Sequence, residues 1–471
     1  MMTTLNFNSV FSDKRLVTRG HQLLSSLYQI PSCSIQQIAT TRAEQIGYYR
    51  FLSNSKVCEK KLSAEIGVRC SQAVKDKTVL CIQDSSEVNL FHHSNRIKKK
   101  SGLGVIDASS KKGIGFKVHP CLVVDATTHF PYGYAGIDVF HREAKEKLSY
   151  SEQCKQPIME RESGKWIRGN ERAGLYLSEA KQVIIIQDRE GDIYEQFLAG
   201  ALAPNTDLLV RCQYNRKLMN EDDKLWETLS KEVAAGIYTT KIAADSHKKT
   251  KAREAIMEVR IVKVNFKKPS TKVADMATQS RDVYAIEAKE ITAGIDNPIH
   301  WRLLTTYCTI DFETAQKVIG WYTCRWMIEE VFKVLKKECY DIESSELEQG
   351  WAIRKLTILI LETIIKLFQM LIIQNTANEE TESIKSSVAF TLDEITCLKI
   401  LNKTVEGSKE KQQNPNNVEQ LKGATWVIAR LGGWKGYQSQ RKPGATTLLI
   451  GLEKFYIFCN AYKQISSVCT R

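Results

Sequence analysis

Residues 79–84 read VLCIQD, and residues 183–188 read VIIIQD. Each is a short apolar run stopped by a Gln-Asp pair, the pattern of a central strand buried on both faces whose last residue surfaces at the end of a sheet. In open α/β sheets, ligands gather beyond the carboxyl ends of the strands, so Asp84 and Asp188 would face one crevice if both strands lie in the same sheet. Taken singly, an aspartate at a strand exit is ordinary turn chemistry that caps whatever follows. As a pair, they ask for a third partner.

The 471 residues are too many for one small domain and predict two or three, each able to bury a core. A hydrophobic fraction of 43% with 26% charged residues is that of an ordinary soluble protein. The 13 cysteines are an odd number with no C-x2-C pair, which speaks against a zinc site and a secreted disulfide framework and for a reducing cytoplasm. The start, MMTTLNFNSVFSDKR, lacks the basic-then-apolar order of a secretory signal. The longest apolar run, Leu356 to Gln374, is interrupted by Glu362 and Lys366 and predicts a buried bundle helix, not a membrane span. The net charge of +13 points to a polyanionic partner. About half of the excess lies in residues 1–75, where ten Lys and Arg face four acids.

Along the chain, residues 1 to about 75 carry apolar positions at steps of three and four among basic ones, as in KRLVTRGHQLLSSLYQI, and predict a small helical module suited to DNA. From about residue 78, TVLCIQD, GFKVHPCLVVDA and HFPYGYAGIDVF predict a meander of three antiparallel strands. A polar stretch from Glu143 to Arg172 leads to a helix and VIIIQD; DIYEQFLAGAL then reads as a helix and DLLVRCQY as a strand. Residues from about 225 to 306 alternate as an antiparallel β insert, and helices resume at about 311. NTANEETESIKSS and GSKEKQQNPNNVEQ read as loops.

The third partner lies in GWYTCRWMIEEVFKVLKK, residues 320–337. At about 100° per residue, Tyr322, Arg325, Glu329 and Lys336 fall within an arc of ~60° on one face of a helix, opposite the apolar side chains. An exposed Arg325–Glu329 pair at i,i+4 is the plain explanation of such a face. The order of elements, strand-Asp, strand-Asp, helix-Glu, lifts it above that.

Y-x2-R-x3-E-x6-K at full spacing, together with YYRFLSN, the D-R-E-x-D run at Asp188–Asp192 and the closing ARLGGWKGYQSQRKPGATTLLIGLEK, resembles the bacterial insertion-sequence transposases of the insertion-sequence-four group. These are DDE recombinases with a ribonuclease H-like core. The resemblance implies an α/β fold in three parts. A helical DNA-binding domain would span residues 1–75, and a catalytic domain 76–375 would hold a mixed five-stranded sheet and an antiparallel insertion at about 220–306. A C-terminal helical domain, 376–471, would pair protomers into a homodimer on DNA. It also implies Asp84, Asp188 and Glu329 as the catalytic and metal-binding triad. Tyr322, Arg325 and Lys336 would then hold the DNA backbone, Trp301 would manage a base flipped out during hairpin formation, and Arg211 would contact DNA. The partners would be double-stranded DNA, as terminal inverted repeats and target, with no membrane.

The chemistry of the bare residues agrees. Three clustered carboxylates repel by about 4 kcal/mol per pair at ~4 Å and an effective dielectric of ~20, so such a site calls for cations. Hard oxygen ligands suit Mg²⁺ or Mn²⁺, and two ions per active site would serve in-line displacement at a phosphodiester. Water would nick the transposon end, and the freed 3′-OH would attack the opposite strand and later the target. Arg325 suits a phosphate clamp, Lys336 a point charge and Tyr322 a hydroxyl donor. The histidines, His119 among them, show no ligand spacing and read as structural. Two other classes compete: a ribonuclease H-like nuclease that cuts without joining, and a non-catalytic DNA-binding remnant or inhibitor of transposition. A carboxylate-pair glycosidase does not need the Arg, Lys and Tyr on the same helix face.

Overall fold

The structure is a computed structural model that describes residues 5–469 apart from 99, 107–112, 143–155, 220–221, 223, 243–250, 271–279, 376–378 and 438–439. The first part of the polar stretch that begins at Glu143 therefore lies outside the described residues.

The chain begins with α1 (Phe7–Val10), α2 (Lys14–Gln29), α3 (Ile35–Ile38), α4 (Arg42–Ser53) and α5 (Glu59–Ala73). Asp13 starts α2 by accepting from the backbone N–H of Arg15, and Thr41 starts α4 by accepting from that of Glu44. The three-and-four spacing of Leu16, Leu23, Leu24 and Leu27 turns one face of α2 into a core that also holds Phe7, Phe11 and Phe51. Helix α5 packs on the sheet instead, where Ser63 Oγ accepts the backbone N–H of Ile137 at 2.8 Å.

The sheet is made by β1 (Thr78–Gln83), β2 (Ser86–Asn89), β3 (Gly104–Val105), β4 (Ile114–Asp125) and β5 (Pro131–Phe140), then β6 (Gln182–Gln187) and β7 (Thr206–Arg211). Helix α6 (Gly164–Tyr176) precedes β6, and α7 (Leu225–Lys231) precedes β8 (Gly236–Ile242), β9 (Arg253–Val264), β10 (Val283–Glu290) and β11 (His300–Thr305). Strands β1, β4 and β5 form the antiparallel meander, while β6 and β7 continue the other side of β1 in parallel. The strands expected as a five-stranded core and those expected as its antiparallel insertion lie in one eleven-stranded mixed sheet. Its cause is the open edge of β7, which β11 covers antiparallel, Leu303 opposite Arg211, with β10, β9 and β8 beyond. The helix expected over DIYEQFLAGAL is a short 3-10 turn, Tyr194–Phe197. There Asp192 is spent on the backbone N–H groups of Gln213 and Tyr214 and on Arg216, and Gly200 takes a left-handed φ of 78°.

After α8 (Phe312–Thr323) and α9 (Trp326–Lys333) comes α10 (Gly350–Asn375), followed by α11 (Glu379–Glu382), α12 (Leu392–Val405), α13 (Leu421–Leu431) and α14 (Ala445–Cys469). Helix α10 is long and apolar enough to cross a membrane, but 89% of its most apolar window is buried inside the protein. It packs on α2, α4 and α5, on β5, and on α13 and α14. The two charges that interrupt its apolar run are matched. Glu362 pairs with Arg69 of α5, and Lys366 donates to Tyr456 Oη at 2.6 Å with its ammonium 4.1 Å from the Phe390 ring.

Candidate functional site

Strands β1 and β6 are parallel neighbours, and the echo in the sequence is a literal register: Val79 pairs with Val183 and Ile82 with Ile186. Continued by one step, the ladder sets Gln83 beside Gln187, and one residue later Asp84 and Asp188 leave the same end of the sheet. The glutamines are fully buried. Gln187 Nε2, with two N–H groups to share, lies 3.1 Å from each of Gln83 Oε1, Asn170 Oδ1 of α6 and Gln196 Oε1, and Gln83 Nε2 donates to Asn170 Oδ1. Two glycines make room for this network, because a Cβ on Gly169 or Gly191 would collide with the side chain of Gln83 or Gln187 respectively. The repeated Gln therefore ties together the two strand ends and α6, a role visible in the sequence only as the repetition itself.

Asp84 accepts the backbone N–H of Ser85 at 2.7 Å through Oδ1 and Arg325 Nη1 at 3.1 Å through Oδ2. Burial, with the charge of Asp188 next, pushes its carboxyl up to about 6. Asp188 caps the 3-10 turn Arg189–Gly191 by accepting the N–H of Glu190 at 2.9 Å, and burial raises its pKa as well. Glu329 on α9 meets the same Arg325 through the other arm of the guanidinium, so Arg325 stands between Asp84 and Glu329. Burial opposes the charge of Arg325, yet Glu329, Tyr322 and Asp84 around it hold its pKa above the ordinary value.

The helix expected over residues 320–337 changes its hydrogen bonding in two places. Helix α8 ends at Thr323, Cys324 and Arg325 keep right-handed helical torsions but bond three residues back, α9 runs to Lys333, and Val334–Glu338 form a π-helical turn. Arg325 lies at the first junction and reaches Asp84, while Lys336 in the π turn takes another partner. It pairs with Glu343 at 3.1 Å, and Glu343 also accepts the N–H of Asn89.

Tyr322 is buried, its ring edge-on to Trp301 of β11 at 5.6 Å between centroids. The charges of Arg325 and Arg211, at the end of β7, act on its hydroxyl, and burial raises its pKa. Asp84, Asp188, Glu329, Arg325, Tyr322, Trp301 and Arg211 thus form one contiguous cluster, and Lys336 stands apart from it.

Two further residues lie beside the cluster, His119, which the sequence reading left as structural, and Lys165, which it did not single out. His119, on β4, is fully buried; its Nδ1 shares a 2.9 Å hydrogen bond with Ser85 Oγ, its ring lies edge-on to Trp166, and its Nε2 has no partner. Burial pushes its pKa down to about 3, so it is neutral. Lys165, buried on α6, donates to Glu190 at 3.0 Å beside Asp188. No spacing rule links residue 119 or 165 to the aspartates, because sheet pairing and helix docking bring them there.

The donor set is oxygen-only and crowded with acid, which suits a hard divalent cation. Among the described residues, however, no three His, Cys, Asp or Glu side chains lie close enough together to chelate one, and Arg325 is the cation that Asp84 and Glu329 share.

A second polar feature lies on the N-terminal helices, where Lys14, Arg15 and Arg19 of α2 and Arg50 of α4 line one groove with Asn54. Arg19 lies across Gly47, where any Cβ would strike its guanidinium. Residues 5–57, which span α1 to α4 and this groove, match the family model for transposase DNA-binding, a likeness that supports a transposase with DNA as its partner.

Proposed function

We propose that the protein is a DNA transposase of the DDE type, catalysing cut-and-paste transposition of an insertion sequence. One observation carries this reading: Asp84 and Asp188 leave register-matched parallel strands beside Glu329, in a chain whose first helices match a transposase DNA-binding model. The strand order β5-β4-β1-β6-β7, antiparallel then parallel, supports a ribonuclease H-like core with the β insert continuing its edge.

In this reading Asp84, Asp188 and Glu329 would hold two Mg²⁺ or Mn²⁺ ions once Arg325 is released, and the ions would supply charge to the attacking and leaving oxygens. The protein's own groups do the rest. Burial and mutual repulsion hold Asp84 in readiness for a positive partner, and Arg325, released from Asp84 and Glu329, turns to a DNA phosphate. Tyr322 donates to the same backbone, and Trp301 offers an aromatic face to an extruded base. Hydrolysis frees a 3′-OH that attacks the opposite strand to give a hairpin and, after the hairpin is opened, attacks the target. A homodimer on paired ends completes the assembly.

A second reading is a DNA-binding remnant or inhibitor of transposition. It draws on the Arg325 bridge, which engages two of the three carboxylates in their present arrangement. A Mg²⁺-dependent cleavage assay on linear DNA carrying the ends that flank the gene, native chain against Glu329→Ala, separates the two. Hairpin-ended products from the native chain alone support the transposase; equal binding of the ends without cutting by either protein leaves the remnant.

A further inference from the structure

The charges that interrupt the apolar run of α10 share a face with a third polar residue. Glu362, Lys366 and Gln369 follow one another at steps of four and three, with Ile365 beside them, so all four lie along one side of the helix. That side lines a cavity of about 340 Å³. Its other walls are Tyr28 of α2, Arg69 of α5, Phe130 and Tyr132 around the start of β5, and the chain from Ile384 to Ala389. Phe130, Ile365 and Ala389 are buried there, whereas Lys77, Lys385 and Ser387 on the same lining are exposed and mark the mouth.

Hydrogen-bond donors outnumber acceptors around this space. Arg69, Lys77, Lys366 and Lys385 line it against the single carboxylate of Glu362. The two deep cations are engaged, Arg69 with Glu362 and Lys366 with the Tyr456 hydroxyl at 2.6 Å and with Glu394 at 3.9 Å. The two at the mouth differ. Lys77 donates to the Tyr132 hydroxyl at 2.7 Å, and Tyr132 in turn donates to Asp125 at 2.9 Å, so the nearest acid is one hydroxyl removed. Neither Lys77 nor Lys385 has a carboxylate within ion-pair distance among the described residues. On the floor, Gln369 spends an amide N–H on the Pro131 carbonyl at 3.0 Å. Aromatic and aliphatic walls below two cations complement a molecule with the opposite arrangement, a flat apolar body that ends in an anion.

We propose that this cavity binds a small aromatic carboxylate, with its ring against Phe130, Ile365 and Val388 and its carboxylate between Lys77 and Lys385. The walls come from the N-terminal helices, the sheet, α10 and the segment after α11, so a bound ligand fastens these parts to one another. The lining shares no residue with the Asp84–Asp188–Glu329 cluster, and the proposal is independent of the transposase reading.

The test is isothermal titration calorimetry of the full-length chain with 2-naphthoate and with 4-phenylbutyrate, and with 2-naphthylmethylammonium as the charge-reversed control. The native protein is expected to bind a carboxylate at least about tenfold more tightly than the ammonium. Lys385→Glu should remove that preference, because it replaces a charge-assisted bond with repulsion. Val388→Trp fills the space and should abolish binding of all three probes. Lys385 is exposed, so its variant keeps the test valid if Val388→Trp fails to fold. A native protein that binds neither carboxylate, or binds both charges equally, would overturn the proposal. So would native carboxylate affinity in Lys385→Glu.

Discussion

Gln187 donates its side-chain amide to Gln83 across 3.1 Å, one residue before each of the two aspartates. The bond lies in a buried four-residue amide network whose members each leave a partner unpaired when removed. Gln187→Ala should destabilise the protein by about 2–4 kcal/mol, whereas Gln83→Leu with Gln187→Leu should cost less than the sum of the two single changes. Urea denaturation of the four proteins of the cycle measures the coupling.

Arg325 holds Asp84 with one arm and Glu329 with the other. Arg325→Ala removes both the counter-charge and the proposed phosphate clamp, and end cleavage should fall on the order of 10²-fold or more. Arg325→Lys restores charge without the fork, so recovery of DNA affinity without recovery of rate would identify orientation as the lost property. Single-turnover cleavage beside equilibrium binding makes that distinction.

His119 makes stability depend on pH. The unfolded chain takes up a proton at this residue below about pH 6.5, while the folded chain keeps it neutral down to about 3. Its contribution is therefore complete above about pH 6.5 and is lost as pH falls toward 3, by about 1.4 kcal/mol per pH unit. His119→Asn, which does not titrate, should lose about 2 kcal/mol less than the native protein between pH 7 and pH 5. Parallel denaturation curves at the two pH values would contradict this.

Arg69 and Glu362 form an ion pair between α5 and α10, with the Glu362 side chain fully buried. Glu362→Ala leaves a buried guanidinium without its carboxylate and should cost about 3–5 kcal/mol, while Arg69→Met with Glu362→Leu should stay within about 1–2 kcal/mol of native. Thermal unfolding of the single and double variants decides between an energetic role and a replaceable one.

The parts of the fold that could be read from the sequence are those carried by local pattern. VLCIQD and VIIIQD show their burial in composition, while their parallel pairing is a finding of the assembled sheet. The change of hydrogen bonding at Cys324 was invisible because the apolar periodicity of residues 320–337 continues unchanged across it, as do the helical torsions. The site of Lys336 shifted for a related reason, since a π-helical turn shows no mark in side-chain spacing. The Ser85–His119 bond depends on the β1–β4 register. Such contacts are properties of the assembled sheet.

Helix α10 also sets a timetable. Lys355 donates to the backbone of Leu52, a contact spanning 303 residues. At a synthesis rate of roughly 5–20 residues per second, the N-terminal helices wait about 15–60 s for the apolar rod they close around. A segment made early is thus among the last to be completed, and a chain cut short before residue 350 leaves the α10-facing surfaces of α2, α4, α5 and β5 uncovered, a ready substrate for chaperones and proteases.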